Sequence, residues 1–231
     1  MSADDAKRAA GEAAAALVEN GMLVGLGTGS TARFVVAALG RRVRDEGLKI
    51  TGVPTSLETE TQAKSLGIGL KEPDGAPLDM DIDGADEIEE GTLRLIKGLG
   101  GALLREKIVR ESSRRFVVIG DPSKRVPVLG SHAPLPVEII RYGHLATAHR
   151  VAALGGAPKL RLGKDEKPFL TDSGNFIYDC FGFAPIRDPF TLQRDLRAIA
   201  GVVETGLFLT GVERAILGQS DGTVTTLFPT A

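Results

Sequence analysis

A single cysteine, Cys180, occurs in the 231 residues, so no disulfide can close within the chain and the sequence reads as that of a protein from a reducing compartment. Net charge is as scarce as cysteine. Twenty-eight Lys and Arg against 30 Asp and Glu leave −2, which removes the electrostatic case for a nucleic-acid partner. The short basic pairs Arg41-Arg42 and Arg114-Arg115 read as solvated faces. No apolar run is long enough to span a bilayer, so no membrane partner is expected. The first twenty residues lack the basic tip and apolar centre of an export signal and read as an alanine-rich helix with Asp4, Asp5, Lys7 and Arg8. The expected location is the cytoplasm. Histidine is sparse too: His144 and His149 lie on different faces of one helix and His132 lies apart, a poor ligand set, so no metal is expected. Cys180 follows apolar Phe176 and Ile177 with no histidine nearby in sequence, and reads as buried filler rather than a nucleophile.

What is present is an ordinary globular composition, 42% hydrophobic and 25% charged, with 29 glycines that imply many tight turns. The first half alternates helical and strand patterns: helix 4–19, strand 22–26, helix 30–45, strand 49–53, helix 56–66, then strands near 78–82, 93–96 and 116–119. Gly21, Gly47 and Gly67 stand where helices should stop. This order predicts an α/β fold with a doubly wound, mostly parallel sheet. Pro122, Pro127, Gly130, Pro134 and Pro136 then mark a change of domain. Beyond it, strand 137–140, helix 145–154, strands 159–162 and 176–179, helix 190–200 and strand 202–204 spell βαββαβ, the order of a ferredoxin-like α+β domain. Strand-like 214–217 and 223–227 are expected to return to the first unit. The expected division is 1–130 plus 207–231 as the catalytic domain, with 131–206 as the smaller one.

Five segments carry chemistry. Gly25-Leu26-Gly27-Thr28-Gly29-Ser30-Thr31 joins a strand to a helix, where glycines and hydroxyls can wrap a phosphate in the field of the helix N-terminus. A dinucleotide fingerprint fails because Ser30 replaces its third glycine, and a Walker loop fails for want of a lysine. Asp79, Asp81, Asp83, Gly84 and Glu90 formally satisfy an EF-hand loop, but Pro73, Gly75 and Pro77 before it and Gly91 after it leave no flanking helices. Leu78, Met80 and Ile82 alternating with aspartates read instead as a strand that delivers Asp83 and Asp86 to its carboxyl end, where open α/β sheets bind ligands. Carboxylates crowded there can raise one another's pKa. Lys97-Gly98-Leu99-Gly100-Gly101 bends into a helix bearing Glu106, a layout for an acid/base site: backbone N–H groups for an anion, and a carboxylate fixed on a rigid element beside a cation. Gly120-Asp121-Pro122-Ser123-Lys124 offers a second cation at the same sheet edge. Thr171-Asp172-Ser173-Gly174-Asn175 reads as a hairpin loop of the second domain.

Gly27-Thr28-Gly29-Ser30-Thr31, Asp83-Gly84-Ala85-Asp86-Glu87 and the run from Lys97 through Arg105-Glu106-Lys107, in this order, closely resemble the type A ribose-5-phosphate isomerase family, and the likeness runs nearly the whole chain. The resemblance implies interconversion of D-ribose 5-phosphate and D-ribulose 5-phosphate without metal or organic cofactor. By position, Glu106 is the expected proton acceptor, moving a proton between C2 and C1 through an enediolate. Lys97 and the N–H groups of Gly98, Leu99 and Gly100 are expected to stabilise the developing oxyanion. Asp83, Gly84, Ala85 and Asp86 are expected around the sugar hydroxyls, with Asp83 assisting ring opening. Thr28, Gly29, Ser30 and Thr31 are expected to hold the phosphate, with Lys124 and, less directly, Lys7 as cations. The resemblance also implies a homodimer or a dimer of dimers. The alternatives are a sugar-phosphate-sensing module, which has no need of Glu106, and another sugar-phosphate isomerase or deaminase, for which a site histidine is expected.

Overall fold

The computed structural model describes residues 3–230. In chain order its elements are α1 (Ala3–Ala15), β1 (Leu23–Leu26), α2 (Ala32–Asp45), β2 (Thr51–Pro54), α3 (Leu57–Ser65), β3 (Gly69–Leu70), β4 (Met80–Gly84), β5 (Glu87–Glu89), β6 (Leu95–Ile96), α4 (Leu103–Glu111), β7 (Phe116–Gly120) and β8 (Arg125–Val126). There follow β9 (Leu135–Ile139), α5 (His144–Ala153), β10 (Ala157–Leu160), β11 (Phe176–Phe181), α6 (Pro189–Arg197), β12 (Val202–Thr205), β13 (Leu207–Phe208), β14 (Arg214–Gly218) and β15 (Val224–Leu227). No helix among the described residues is long and apolar enough to cross a membrane.

Seven strands form the main sheet in the order β15-β14-β7-β4-β1-β2-β3, parallel throughout except for β15. The chain leaves β1 toward β2 on one side and later returns to β4 on the other, so a topological switch lies between β1 and β4, and ligands of open α/β sheets bind at such a point. Gly21, Gly47 and Gly67 end their segments at φ +86°, +69° and +75°, a left-handed backbone that glycine adopts without Cβ strain.

Strand alternation explains the packing. Val24, Leu26, Met80, Ile82, Val117 and Ile119 point to one face of the sheet and form a core with Ala10, Ala14, Val35 and Leu39 of α1 and α2. Full burial of each large apolar side chain contributes roughly 1.5–3 kcal/mol. The intervening residues, Gly25, Gly27, Asp81 and Asp83, point the other way. A Cβ at Gly25 would stand 2.5 Å from Asp81 Oδ1 and 2.6 Å from Val109 on α4, and one at Gly27 would overlap the Asp83 carboxylate. Gly25 in β1 and Gly27 just past its end are thus the space that two buried aspartates fill.

The segment from β9 to β12 has the expected βαββαβ order and forms an antiparallel sheet, β10-β11-β9-β12, with α5 and α6 packed on it. Cys180 is buried in its core. Strand 93–96, expected in the same run as the parallel strands, is corrected to the pair Leu95–Ile96 in a separate sheet, β13-β6-β5-β8. Gly91 at φ +77° and Leu93 at φ +54° reverse the chain there, so β6 folds back on β5 instead of joining the parallel sheet. Neighbouring residues in this small sheet serve different cores: Leu95 and Phe208 pack toward the main sheet, whereas Ile96 and Leu207 pack among the residues of β9 and β11.

Candidate active site

The carboxyl ends of β1 and β4 meet through one carboxylate. Asp83 Oδ1 accepts from the N–H of Thr28 at 3.0 Å and from its neighbour Gly84 at 2.7 Å, which locks the glycine loop to the strand beside it. The Lys97 ammonium stands 3.0 Å from Asp83 Oδ2 and 3.4 Å from Glu106 Oε2, and it donates to the carbonyl of Gly84. All three side chains are at least 95% buried. Lys97 is aimed from behind by Gly206: Lys97 donates its own N–H to the Gly206 carbonyl at 2.9 Å, while Gly206 donates to Pro136 at 2.8 Å. Glu106 enters from the first turn of α4, whose neighbouring Lys107 anchors the helix by donating to Glu204 at 3.0 Å and to the carbonyls of Thr205 and Leu207 at 2.7 and 2.8 Å.

Burial sets the protonation chemistry. It pushes the Glu106 carboxyl up to about 8, with Lys97 opposing and Asp83 and Asp86 adding to the rise. The Asp83 carboxyl is raised by the same desolvation against the pull of Lys97. For Lys97, burial works against the charge, but Asp83 and Glu106 more than offset it and hold the ammonium protonated. Asp81, two residues before Asp83 on the same face of β4, is held well above the ordinary carboxylate range by burial and by Asp83, and neither of its oxygens has a hydrogen-bond partner among the described residues.

Above this floor opens a cavity of about 230 Å³ lined by Thr28, Gly29, Ser30, Thr31, Gly84, Ala85, Asp86, Lys97, Gly98, Gly100, Glu106 and Lys124. One wall is the start of α2, where Thr31 at the N-cap closes no side-chain hydrogen bond and leaves the helix end available to an anion. The half-buried Lys124, next to Gly120, lines the same cavity.

Of the residues expected at the site, the cavity therefore gathers all except Asp83, Leu99 and Lys7. Asp83 lies directly beneath it. Leu99 keeps its side chain partly in solvent and gives its N–H to Asp86 Oδ2 at 2.9 Å, so that donor is not free for a substrate. Lys7 sits on α1, outside the lining. Three residues that sequence reasoning passed over hold the glycine loop: the Thr28 hydroxyl meets Thr55, Ser56 and Thr59 at 2.7, 2.8 and 3.3 Å, and Thr59 donates to the carbonyl of Gly27 at 2.9 Å. Their only sequence signal, a hydroxyl three residues before another at a helix start, announces a cap. Ser56 is indeed that cap, accepting from the Thr59 N–H.

Comparison with known proteins places the chain in a family. Residues 51–222 match the family model described as ribose 5-phosphate isomerase A (phosphoriboisomerase A). A curated ribose-5-phosphate isomerase A from Synechococcus sp. (strain JA-3-3Ab) is 51% identical over 222 residues, covering 96% of each chain. The solved ribose 5-phosphate isomerase A of Methanocaldococcus jannaschii superposes with a TM-score of 0.93 at 41% identity, over 98% of this chain and 100% of that one. A solved D-ribose-5-phosphate isomerase in complex with phospho-erythronic acid gives the same TM-score at 34% identity, over 99% and 100% of the two chains. With the match spanning both the parallel sheet that builds the cavity and the smaller sheet beside it, this chain belongs to the ribose 5-phosphate isomerase A family.

Proposed function

We propose that this chain is an aldose-ketose isomerase that interconverts D-ribose 5-phosphate and D-ribulose 5-phosphate, with Glu106 as the base. The observation that carries the reading is the buried Glu106 carboxylate facing Lys97 at 3.4 Å, in one cavity with the N-terminal end of α2 and Lys124. The α2 terminus, Ser30, Thr31 and Lys124 take the phosphate, which fixes the sugar with its reacting carbons over Glu106. Asp83 Oδ2, 3.0 Å from the Lys97 ammonium, accepts the anomeric hydroxyl proton during ring opening and returns it to the departing ring oxygen, and Asp86 holds a sugar hydroxyl. Glu106 then takes the C2 proton, charge collects on O1, and Lys97 with the loop N–H groups stabilises that oxygen. Return of the same proton to C1, with the O2 hydroxyl proton passing to O1, completes the ketose. A carboxyl near 8 is well matched to this step, because a stronger base abstracts a carbon-bound proton more readily while still ionising near neutral pH.

The phospho-erythronic acid of the related complex is a phosphorylated aldonate, whose carboxylate resembles the oxygens of an enediolate, and its binding by that enzyme supports the sugar-phosphate reading. Residues 1–130 with 207–231 make up the catalytic domain and 131–206 the smaller one. The protein acts in the cytoplasm, in keeping with its one buried cysteine, and self-associates as a homodimer or homotetramer. The direct test is ribulose 5-phosphate formation by purified protein given ribose 5-phosphate in the presence of a chelator. Chelator-insensitive turnover is expected. Tight binding of the sugar phosphate without turnover would make the protein a sensor instead.

A further inference from the structure

The glycine loop is gripped from outside the cavity by a side chain of the smaller sheet. Arg161, just past β10, donates through one guanidinium nitrogen to the carbonyls of Gly98 at 2.9 Å and Leu99 at 3.0 Å. Its own place is fixed three ways. Asp179 on β11 takes the other two guanidinium nitrogens as a fork, the Arg161 N–H donates to Ile177, and its carbonyl accepts from Phe169, each backbone bond being 2.9 Å. The Phe169 ring closes the grip by packing on Gly101, where a Cβ would stand 2.5 Å from the ring. Arg161 is only 12% exposed and does not line the cavity.

The consequence follows from peptide planarity, since the C=O and N–H of a trans unit point in opposite directions. In the unit joining Gly98 to Leu99, the oxygen faces Arg161 and the N–H faces Asp86 in the cavity wall. In the next unit, the oxygen of Leu99 again faces Arg161, so the Gly100 N–H faces the cavity that Gly100 lines, and no group among the described residues accepts from it. We propose that Arg161 is a positioning residue for the isomerisation: by holding two consecutive carbonyls it aims the Gly100 N–H at the oxygen that becomes negative in the enediolate. The inference rests on the isomerase reading above. The Arg161 cation also polarises both peptides, which strengthens the N–H on the far side as a donor.

The test compares wild type with Arg161→Gln and Arg161→Lys in kcat, KM, affinity for a phosphorylated aldonate one carbon shorter than the substrate, affinity for inorganic phosphate, and melting temperature. Arg161→Gln is expected to lower kcat about 10- to 100-fold and to weaken aldonate binding by a similar factor, somewhat less than outright loss of an oxyanion donor. KM and phosphate affinity are expected to stay within about threefold, because the phosphate end is untouched. Arg161→Lys, which keeps the charge but cannot fork on Asp179 while spanning both carbonyls, is expected to fall between, and it decides the matter if Arg161→Gln does not fold. Unchanged kcat in a folded variant overturns the proposal, as does a loss shared equally by kcat, KM and phosphate affinity, which marks general loosening. Wild-type protein that binds the aldonate without isomerising ribose 5-phosphate refutes the isomerase reading alone, and the aldonate affinities then still decide the role of Arg161. Wild-type protein that binds neither refutes both.

Discussion

Around Lys97, one ammonium is shared between the carboxylates of Asp83 and Glu106, with Asp86 acting on it from further away. A single cation cannot compensate all of them in a dry site, so Glu106 is left with a carboxyl near 8. Because the base acts ionised, kcat/KM is expected to rise with pH and to level off above about 8; an acidic limb near 4.5, read from the pH profile of kcat/KM, would contradict that assignment. The same shift has a stability counterpart. The folded state binds the proton more tightly than the unfolded chain, so stability is lost as pH rises from about 4.5 to about 8. Glu106→Gln, which cannot ionise, is expected to melt at a higher temperature than wild type at pH 9 and no higher at pH 4. Glu106, Lys97, Asp83 and Asp86 were legible in the sequence because their motifs mark strand ends and a helix start. Asp81 was not. It was visible only as part of a calcium-loop pattern, and its place behind Asp83 follows from a strand alternation that the aspartates themselves disguise.

At the scale of elements, β1 and α4 do the positioning. The sequence reads the glycines at the end of β1 as a phosphate wrap; Gly29 takes φ +105° in the loop, whereas Gly25 and Gly27 make room for the two aspartates of β4. Gly27→Ala is expected to cost roughly 1–3 kcal/mol by overpacking and to lower turnover as well, measured by urea denaturation alongside the assay. A variant of wild-type stability and activity would show that β4 can yield. Helix α4 was legible from its apolar start, but nothing near Lys107 in sequence names its partners, which lie about 100 residues away in β12 and β13. Lys107→Ala takes a buried donor from Glu204, which keeps Arg197 at 3.5 Å and the Thr205 N–H, and from the carbonyls of Thr205 and Leu207, the latter still held by Gln193, and is expected to destabilise by about 1–3 kcal/mol. Less than 1 kcal/mol in a denaturation curve would remove this anchor from the account.

Across the whole molecule, the two larger sheets were readable from the βα alternation and the βαββαβ order, while the small sheet between them was not. Strands of two or three residues carry too little periodicity to be seen, and their pairing is set by distant partners: Leu95 pairs with Phe208, and Ile88 with Arg125. That sheet, together with Arg161, Lys107 and Gly206, fastens the smaller unit to the catalytic loops, so the halves should unfold together. The chain has no tryptophan, and its two tyrosines, Tyr142 and Tyr178, both lie between β9 and β12, so tyrosine fluorescence reports that unit while far-ultraviolet circular dichroism reports the whole. Coincident denaturation midpoints are expected, and separated ones would mean that the units are only loosely joined. The central claim, one carboxylate acting at the end of a phosphate-anchored cavity, is tested most directly by turnover of ribose 5-phosphate by Glu106→Gln beside the wild type. The account predicts a loss of about a thousandfold or more in kcat with substrate affinity nearly unchanged. Wild-type turnover in that variant would contradict it.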